Sequence, residues 1–599
     1  MISFSSLAHS FHIPVMGLGF TVDTPIKVAR YGISSVVSIM DDHLLEDMRR
    51  LYSRKLGLPY LYIDENENDF RAKRIKAYLN LLHEVVANQV EEMKTQEFGT
   101  DSALDTYFSL LPETHPLSLL YAQLDKVSGE SKDQLMKQLK SSLIPGQIDV
   151  NIMTKVDKIN YNKAGEELPR EYSDALSALR GFAESSLSSS VVFSAGLNPA
   201  LYSYVEQFPD FYPDAEGKLK KKIILKVSDY RSALIQGKFF AKKGLWVSEF
   251  RIESGLNCGG HAFATDGFLI GPILEEFKQN RQQLNQTLFE ACQQVLQQRQ
   301  LSPLPADLQT KVTYQGGIGT ADENRFLTEY YQLDGTGWGS PFLLVPEATS
   351  VDEDTLQRLI NARKSDYFLS NASPLGVPFN NLRTSSGEDQ RKARIAKNRP
   401  GSPCYKKFLS FSKEFTDKPI CTASREYQHN KIKQLQNGET TSEEVDAILE
   451  KDCLCEGLSA PAILSLGDTP RRNLSAVTIC PGPNLAYFKG VFSLKEMVDH
   501  IYGRINLNLD TERPHVFVKE LQLYVQHLKT EMEKTIPEKT AKYEAYLEKF
   551  KSNLNDGIQY YQNLVDEFTL DTEEVIENMK AQLTAIKDEI LNSMSLNVG

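Results

Sequence analysis

Tyr314, Gln315, Gly316, Gly317, Ile318, Gly319 and Thr320 stand at the head of a stretch that continues, past residues 321–331, through Leu333, Asp334, Gly335, Thr336, Gly337, Trp338, Gly339 and Ser340. Residues 311–314 read as the end of a buried strand running straight into glycines, which let a backbone approach a ligand closely. Residues 321–331 have helical content, so the glycines stand where helix N-terminal amides point at an anion. Residues 337–340 repeat the arrangement after the next strand. Two glycine-rich strand ends in successive strand–helix units fit the phosphate grip that a TIM barrel builds after its seventh and eighth strands. Two ordinary glycine turns are the competing reading.

Working outward, the same alternation runs through the first 345 residues. Residues 13–20 are a short apolar strand ending in glycines. Thr24 and Pro25 then suit a cap and a first helical position, with the helix over 26–31 and a stop at Gly32. Residues 33–39 are the next buried strand. From 64 to about 145 the pattern turns charged and helix-periodic. It reads as a helical insertion, with a separate helical domain as the alternative, because strand character resumes only at 148–154. Strands follow at 190–196, 221–228 and 245–252, with helices at 172–189 and 229–243. Strands alternating with helices predict a parallel sheet covered by helices, and the length favours closure into a (β/α)8 TIM barrel.

The chain has 599 residues, 41% of them apolar and 24% charged, which fits a globular protein larger than one typical domain. Its net charge of -12 argues against a sequence-independent grip on nucleic acid. The start lacks a signal-peptide pattern and no apolar run reaches membrane-spanning length, so the expected location is cytoplasmic, with no membrane partner. Seven cysteines in so long a chain do not make a disulfide scaffold. The expected division is a barrel over 1–385 (insertion 64–145), a cysteine-containing extension over 386–505, and a helical hairpin or bundle over 506–599.

Glu253, Ser254, Gly255, Leu256, Asn257, Cys258, Gly259, Gly260 and His261 follow the predicted strand at 245–252 directly. A histidine behind two glycines at the carboxyl end of a barrel strand stands where such barrels keep their active sites. An imidazole exchanges a proton near neutral pH, so His261 is the candidate acid or base. A plain turn histidine is the alternative.

This segment resembles the Gly-Gly-His signature of the nitronate monooxygenase group, formerly the 2-nitropropane dioxygenases, which also contains FMN-dependent enoyl-ACP reductases. The resemblance extends in register. Residues 14–19 are similar to the group's first strand, and Asp149, Val150, Asn151, Ile152 and Met153 to its Val-Asn strand. Residues 194–199 are similar to its next glycine–proline exit. Gln315 to Gly319 and Gly337 to Phe342 resemble its two phosphate loops, and Arg383 sits in a stretch like one that follows barrel closure. In place of the usual acidic residue before Gly-Gly-His this chain has Asn257 and Cys258, with Glu253 upstream.

The resemblance implies a barrel holding noncovalent FMN and a small-molecule substrate. It places the phosphate on the amides of Gly316, Gly317, Gly339 and Ser340. Met16, Gly17, Gly19 and Asn151 fall near the isoalloxazine ring. Gly259, Gly260, Gln315 and Gly337 complete the cofactor-binding set. Lys226 either places positive charge near the flavin N1–C2 edge or is an ordinary surface lysine. His261 acts on the substrate or orients it. The activity implied is oxidation or reduction of a small organic substrate. The alternatives are NAD(P)H-dependent reduction of an enoyl thioester, with residues 391–399 as a basic docking face for the carrier, and a non-catalytic barrel that recruits a partner.

Cys404, Cys421, Cys453, Cys455 and Cys480 fall within one stretch, the last followed by Pro481, Gly482 and Pro483. Thiolates at a Cys-Pro turn suit an iron–sulfur cluster. Zinc and plain buried thiols are the other readings, because the spacing matches no standard run. Residues 373–383 read as a loop and 388–400 as a strongly basic stretch. Residues 516–535, 538–566 and 571–594 read as helices joined near Pro537, with apolar spacing that suits an interaction surface, self-association or a packed lid.

Overall fold

The computed structural model describes residues 7–507, 510, 512–533, 541–567 and 573–595. Eight parallel strands pair in chain order and close on themselves: β1 (Phe11–Ile13), β2 (Ser34–Ser38), β3 (Ile148–Ile152), β4 (Ser190–Phe193), β5 (Lys222–Val227), β6 (Val247–Glu253), β7 (Lys311–Gln315) and β8 (Gly335–Gly337). The closing seam sets Phe11 beside Thr336 and His12 beside Gly337. The fold is a TIM barrel with helices between its strands.

Side chains alternate across each strand, and this decides which residues look into the barrel. Val150, Ile152, Val191, Phe193, Ile223, Leu225, Phe250, Ile252, Val312 and Tyr314 join the large core between strands and helices. Their neighbours face inward in layers. Val36, Val192 and Ile224 form a small apolar plug of their own. Below the plug lies a polar layer in which Glu249 accepts from Arg251 Nε at 2.7 Å and from Thr313 Oγ1 at 2.6 Å. Above it, at the carboxyl ends of the strands, Ser38, Asn151, Ser194, Lys226, Glu253 and Gln315 line a single cavity.

Helix ends follow their local chemistry. Pro25 starts the helix Thr24–Val28, and Gly32 takes the left-handed conformation (φ +80°) that ends the short 3-10 turn after it. Asn198 caps the helix at Pro199 and Asp229 caps Tyr230–Ala241. Five helices, Asp42–Leu56, Phe70–Thr95, Ala103–Leu110, Pro116–Tyr121 and Glu130–Ser141, join β2 to β3. Phe70–Thr95 lies against Asp174–Ala183 so closely that a Cβ at Gly181 would come within 2.8 Å of the Ala72 carbonyl oxygen. The later three close a second core with Val90 and Met93.

Beyond the barrel one expectation is corrected. The stretch read as a loop contains a strand, β10 (Phe379–Leu382), paired antiparallel with β9 (Tyr367–Ser370). The basic stretch is the helix Ser386–Ala396, in which the Arg391 guanidinium is taken up by Glu388 and by the Leu449 carbonyl oxygen. The C-terminal helices are Val516–Glu533, Ala541–Leu564 and Glu573–Ser595. The junction expected near Pro537 and the first six residues lie outside the described residues. One hydrophobic core runs from Phe11 through Cys480 to Ile590, joining barrel, extension and C-terminal helices. Among the described residues no helix is long and apolar enough to cross a membrane.

Candidate functional site

The cavity at the carboxyl ends of the strands has a volume of about 220 Å³ and gathers residues from all eight strand exits. The β7 exit contributes Gln315, Gly316 and Gly317, the β8 exit Gly337, Gly339 and Ser340, and the β6 exit Gly259, Gly260 and His261. Met16 and Gly17 come from β1, Asn151 from β3 and Lys226 from β5.

Both glycine corners open into this cavity. Gly316 and Gly317 have φ of +127° and +80°, and a Cβ on Gly317 would meet Asn257 Nδ2 at 2.0 Å. Only glycine fits there without displacing a neighbour. Among the described residues none accepts a hydrogen bond from the amides of Gly316, Gly317, Gly339 or Ser340. Amides pointing into a concave, partly enclosed space form an anion cradle. The helix terminus beyond them does not contribute to it. Glu323 Oε2 accepts from the amides of Gly319 at 2.8 Å and Thr320 at 3.3 Å, and Thr320 and Glu323 form a capping box for the helix Ala321–Glu329. The spacing Thr320-x-x-Glu323 is a legible cap signal that an anion-binding reading of this terminus overlooks.

Asn151, which lines the same cavity, has a buried Oδ1 for which no hydrogen-bond partner is found among the described residues, whereas Gln315 Oε1 lies by the ring of the buried His12. Buried polar atoms are normally paired, so an unpaired one beside a cavity points to a partner from outside the chain. Gln315 Nε2 donates to Glu253 Oε1 at 2.5 Å, and Lys226 Nζ pairs with Glu253 Oε2 at 2.7 Å. Lys226 is therefore paired with Glu253 at the cavity wall. The reason is the strand register, which sets Lys226 beside Arg251 on the adjoining strand and leaves Glu253 one inward position further out.

His261 is held from two sides. The backbone around it runs beside β10: Asn380 N donates to Gly260 O at 2.8 Å, and Ala262 N donates to Pro378 O at 2.9 Å. Asn380 Nδ2 donates to Cys258 O at 2.7 Å. The ring Nε2 shares a hydrogen bond of 2.7 Å with Ser373 Oγ and packs edge-on to Phe379. On the other side the helix Val516–Glu533 clamps the loop. Glu520 accepts from Ser254 Oγ at 2.7 Å and from Ile270 N at 2.8 Å, and Tyr524 Oη lies 2.9 Å from Thr265 Oγ1.

Burial, with the nearby Lys155 cation, lowers the His261 pKa to about 4. At pH 7 the imidazole is therefore neutral in the unliganded chain. Cys258 beside it is also a neutral thiol, its pKa pushed up by burial.

The roof of the cavity comes from beyond the barrel. Leu458, Cys480, Gly482 and Asn484 line it. Gly482 N donates to Ser340 Oγ at 2.7 Å, Gly260 N to Cys480 O at 3.2 Å, and Asn484 Nδ2 to Ile318 O at 2.9 Å. The turn at Pro481, Gly482 and Pro483 thus closes over the glycine corners. Arg513 fixes both layers: it donates to Asn484 Oδ1, to Gly317 O and to both oxygens of Glu323, the last at 2.7 and 2.8 Å. These residues are far from the barrel strands in the chain, and only the turn residues around Gly482 mark them in the sequence.

Two further placements differ from expectation. Gly19 does not reach the cavity; its amide donates to Leu458 O at 2.8 Å, and a Cβ there would meet the Leu458 and Ser459 carbonyl oxygens and Ala462. Its missing side chain admits the extension. The five cysteines do not all lie together: Cys480 lines the central cavity, whereas Cys404, Cys421, Cys453 and Cys455 lie near one another. Among the described residues no group of three or more His, Cys, Asp or Glu side chains is arranged to hold a metal ion.

No protein-family model matches the chain, and no curated protein matches it. Among solved structures, the enoyl reductase domain of MlnA from the macrolactin biosynthesis cluster of Bacillus amyloliquefaciens aligns over 75% of this chain and 88% of its own, with 13% identity and a TM-score of 0.31. A nitroalkane oxidase from Streptomyces ansochromogenes aligns over 63% of this chain and 84% of its own, with 9% identity and a TM-score of 0.29. At such scores the likeness identifies neither substrate nor cofactor.

Proposed function

We propose that this barrel is an FMN-dependent oxidoreductase acting on a small organic substrate at the mouth of the cavity, beside His261. The observation that carries the reading is the convergence of two glycine corners, with four amides that find no acceptor among the described residues, on the cavity that holds the Gly-Gly-His loop. The amides of Gly316, Gly317, Gly339 and Ser340 would hold the phosphate. The unpaired acceptor of Asn151 suits an N–H group of a flavin ring. FMN, when bound, supplies the electron-transfer chemistry.

The chain's own groups bind, orient and shield. The roof turn at Gly482 and the side chain of Leu458 cover the inner cavity, where they would limit the access of water to a bound ring. Ser373 and Phe379 hold the His261 ring in one orientation. Lys155, which also lines the cavity, offers a cation near the mouth and favours an anionic substrate group such as a nitronate or carboxylate.

Purified protein tests this directly. It should be yellow and release about one FMN per chain on denaturation. A colourless chain that takes up no added FMN would instead favour a non-catalytic barrel. Anaerobic mixing of the flavoprotein with NADH or NADPH, followed by a nitronate or an enoyl thioester, separates a nitronate monooxygenase-like reaction from a nicotinamide-dependent reductase.

A further inference from the structure

The opposite end of the barrel, where the strands begin, encloses a cavity of about 910 Å³, with Ile224 of the apolar plug among its lining residues. Strand register builds its wall. Val150 pairs with Val191 and Ser190 with Lys222, so Asp149, Ser190 and Lys222 stand side by side on β3, β4 and β5. Glu249 pairs with Lys311, which sets a second lysine on β7, two strands further round. Between the lysines β6 carries a bulge. Ile223 pairs with Val247 but Ile224 with Glu249, so Ser248 is the extra residue, and it lines the cavity along with Glu249.

The charges on this wall do not cancel. Arg251 pairs with Glu249, Lys220 with Asp210 and Lys218 with Glu216, each at 2.7 Å. Asp334 is taken up by Arg281 and by the Val312 amide, and Asp214 by the amides of Glu216 and Lys218. Asp149 accepts from Ser190 N at 3.0 Å, and burial raises its carboxyl towards the neutral acid. Lys222 and Lys311 remain, and among the described residues neither is held in an ion pair. The apolar part of the lining is made by Phe11, Leu219, Ile224, Trp246 and Leu308. Trp246 is 2% exposed, and no hydrogen-bond partner is found for its Nε1 among the described residues. A buried indole N–H is ordinarily paired, so this one points to an acceptor from outside the chain. A cavity of this size, with apolar walls and a few convergent donors, has the make-up of a small-molecule site.

We propose that the amino-terminal end of the barrel is a second small-molecule site, and that it takes an organic carboxylate with an apolar, ring-bearing body. The carboxylate is held by Lys222 and Lys311, and the body lies along the wall made by Phe11, Ile224, Trp246 and Leu308. The Trp246 N–H is the donor for an acceptor on that body. An inorganic anion would leave the apolar wall wet, and a neutral ring would leave both lysines without a counter-charge; a ligand with both parts satisfies the whole cavity. A ring system also gives the most apolar contact for the least rotational freedom lost. The plug of Val36, Val192 and Ile224 lies between this cavity and the barrel mouth, so the site stands independently of any flavin there.

The test is photolabelling of the full chain with 4-benzoylbenzoate, a two-ring carboxylate whose ketone inserts into neighbouring C–H bonds on irradiation, with the adducts mapped by peptide mass spectrometry. Labelling should saturate with concentration and fall on the stretches 217–224, 246–251 and 305–311, which line the cavity. Benzophenone, the neutral parent, should label them about tenfold less at equal concentration, and the double variant Lys222→Gln, Lys311→Gln should lower labelling by the carboxylate by a similar factor. Adducts only at Met16 or Met153 of the upper cavity, adducts scattered over the surface, or labelling that never saturates overturn the site. Equal labelling by the charged and neutral probes overturns the recognition of a carboxylate. That comparison uses the unaltered chain, so a variant that fails to fold leaves the test decisive. A colourless chain that labels as expected refutes the flavin reading and supports this one.

Discussion

His261 behaves according to its surroundings and not according to its residue type. Burial and Lys155 bring its pKa to about 4, so it is neutral across the physiological range. A titration of the His261 ring by NMR, assigned by comparison with His261→Ala, should show a midpoint near 4 in the unliganded protein. A midpoint near 6.5 would show that water reaches the ring. If turnover needs the neutral ring, activity should hold down to that midpoint and fall only below it. Gly317 makes a second residue-scale case. Gly317→Ala adds a Cβ at φ +80°, 2.0 Å from Asn257 Nδ2. The left-handed strain and the clash together should cost ~2 kcal/mol or more. We expect a lower melting temperature and loss of FMN retention, and a variant that keeps both would remove this corner from the proposed site.

At the scale of elements, the connections beyond the barrel roof the site and hold its loops in place. Arg513, just ahead of the helix Val516–Glu533, ties Asn484 of the roof to Gly317 and Glu323 of the β7 exit. Burial alone would raise the Glu323 carboxyl, yet Arg513 holds it below its usual range. Arg513→Met strands a buried carboxylate and should destabilise the protein by ~3–5 kcal/mol in chemical denaturation, with Arg513→Lys recovering part of it. The same helix carries Glu520, whose pKa burial raises to about 7. A folded-state pKa above the unfolded value contributes stability that is complete below the unfolded pKa and disappears as pH rises through the folded one. Glu520→Gln should therefore gain on the unaltered protein between pH 4.5 and 8, by on the order of 3 kcal/mol at most. A melting-temperature difference between the two that stays constant with pH would show that Glu520 is not buried as a neutral acid.

For the whole molecule, the continuity of the core matters most. Barrel, extension and C-terminal helices share one apolar interior, so they should unfold together. The chain's two tryptophans, Trp246 and Trp338, are both buried in the barrel, whereas far-UV circular dichroism is weighted towards the helices. Thermal transitions followed by tryptophan fluorescence and by circular dichroism should coincide. Two transitions several degrees apart would mean that the helices fold as a unit of their own.

The local sequence was enough for the barrel, because a parallel barrel is built from a signal that repeats locally. Short apolar strands with period-two alternation, glycine exits and capped helices recur from 11 to 340, and each reading needs only a dozen neighbouring residues. The glycine corners and the position of His261 after β6 were legible for the same reason. What the sequence did not disclose depends on contacts between residues far apart in the chain. Glu253 neutralises Lys226 across neighbouring strands, Gly19 makes room for Leu458, and β10 holds the Gly-Gly-His loop. Arg513 reaches Glu323 over 190 positions, and Cys404 and Cys421 meet in one cavity while Cys480 roofs another. Periodicity and capping act within a few residues, whereas pairing of charges, desolvation of a ring and closure of a cavity are set by which surfaces the folded chain brings into contact. Only the tertiary structure could decide those.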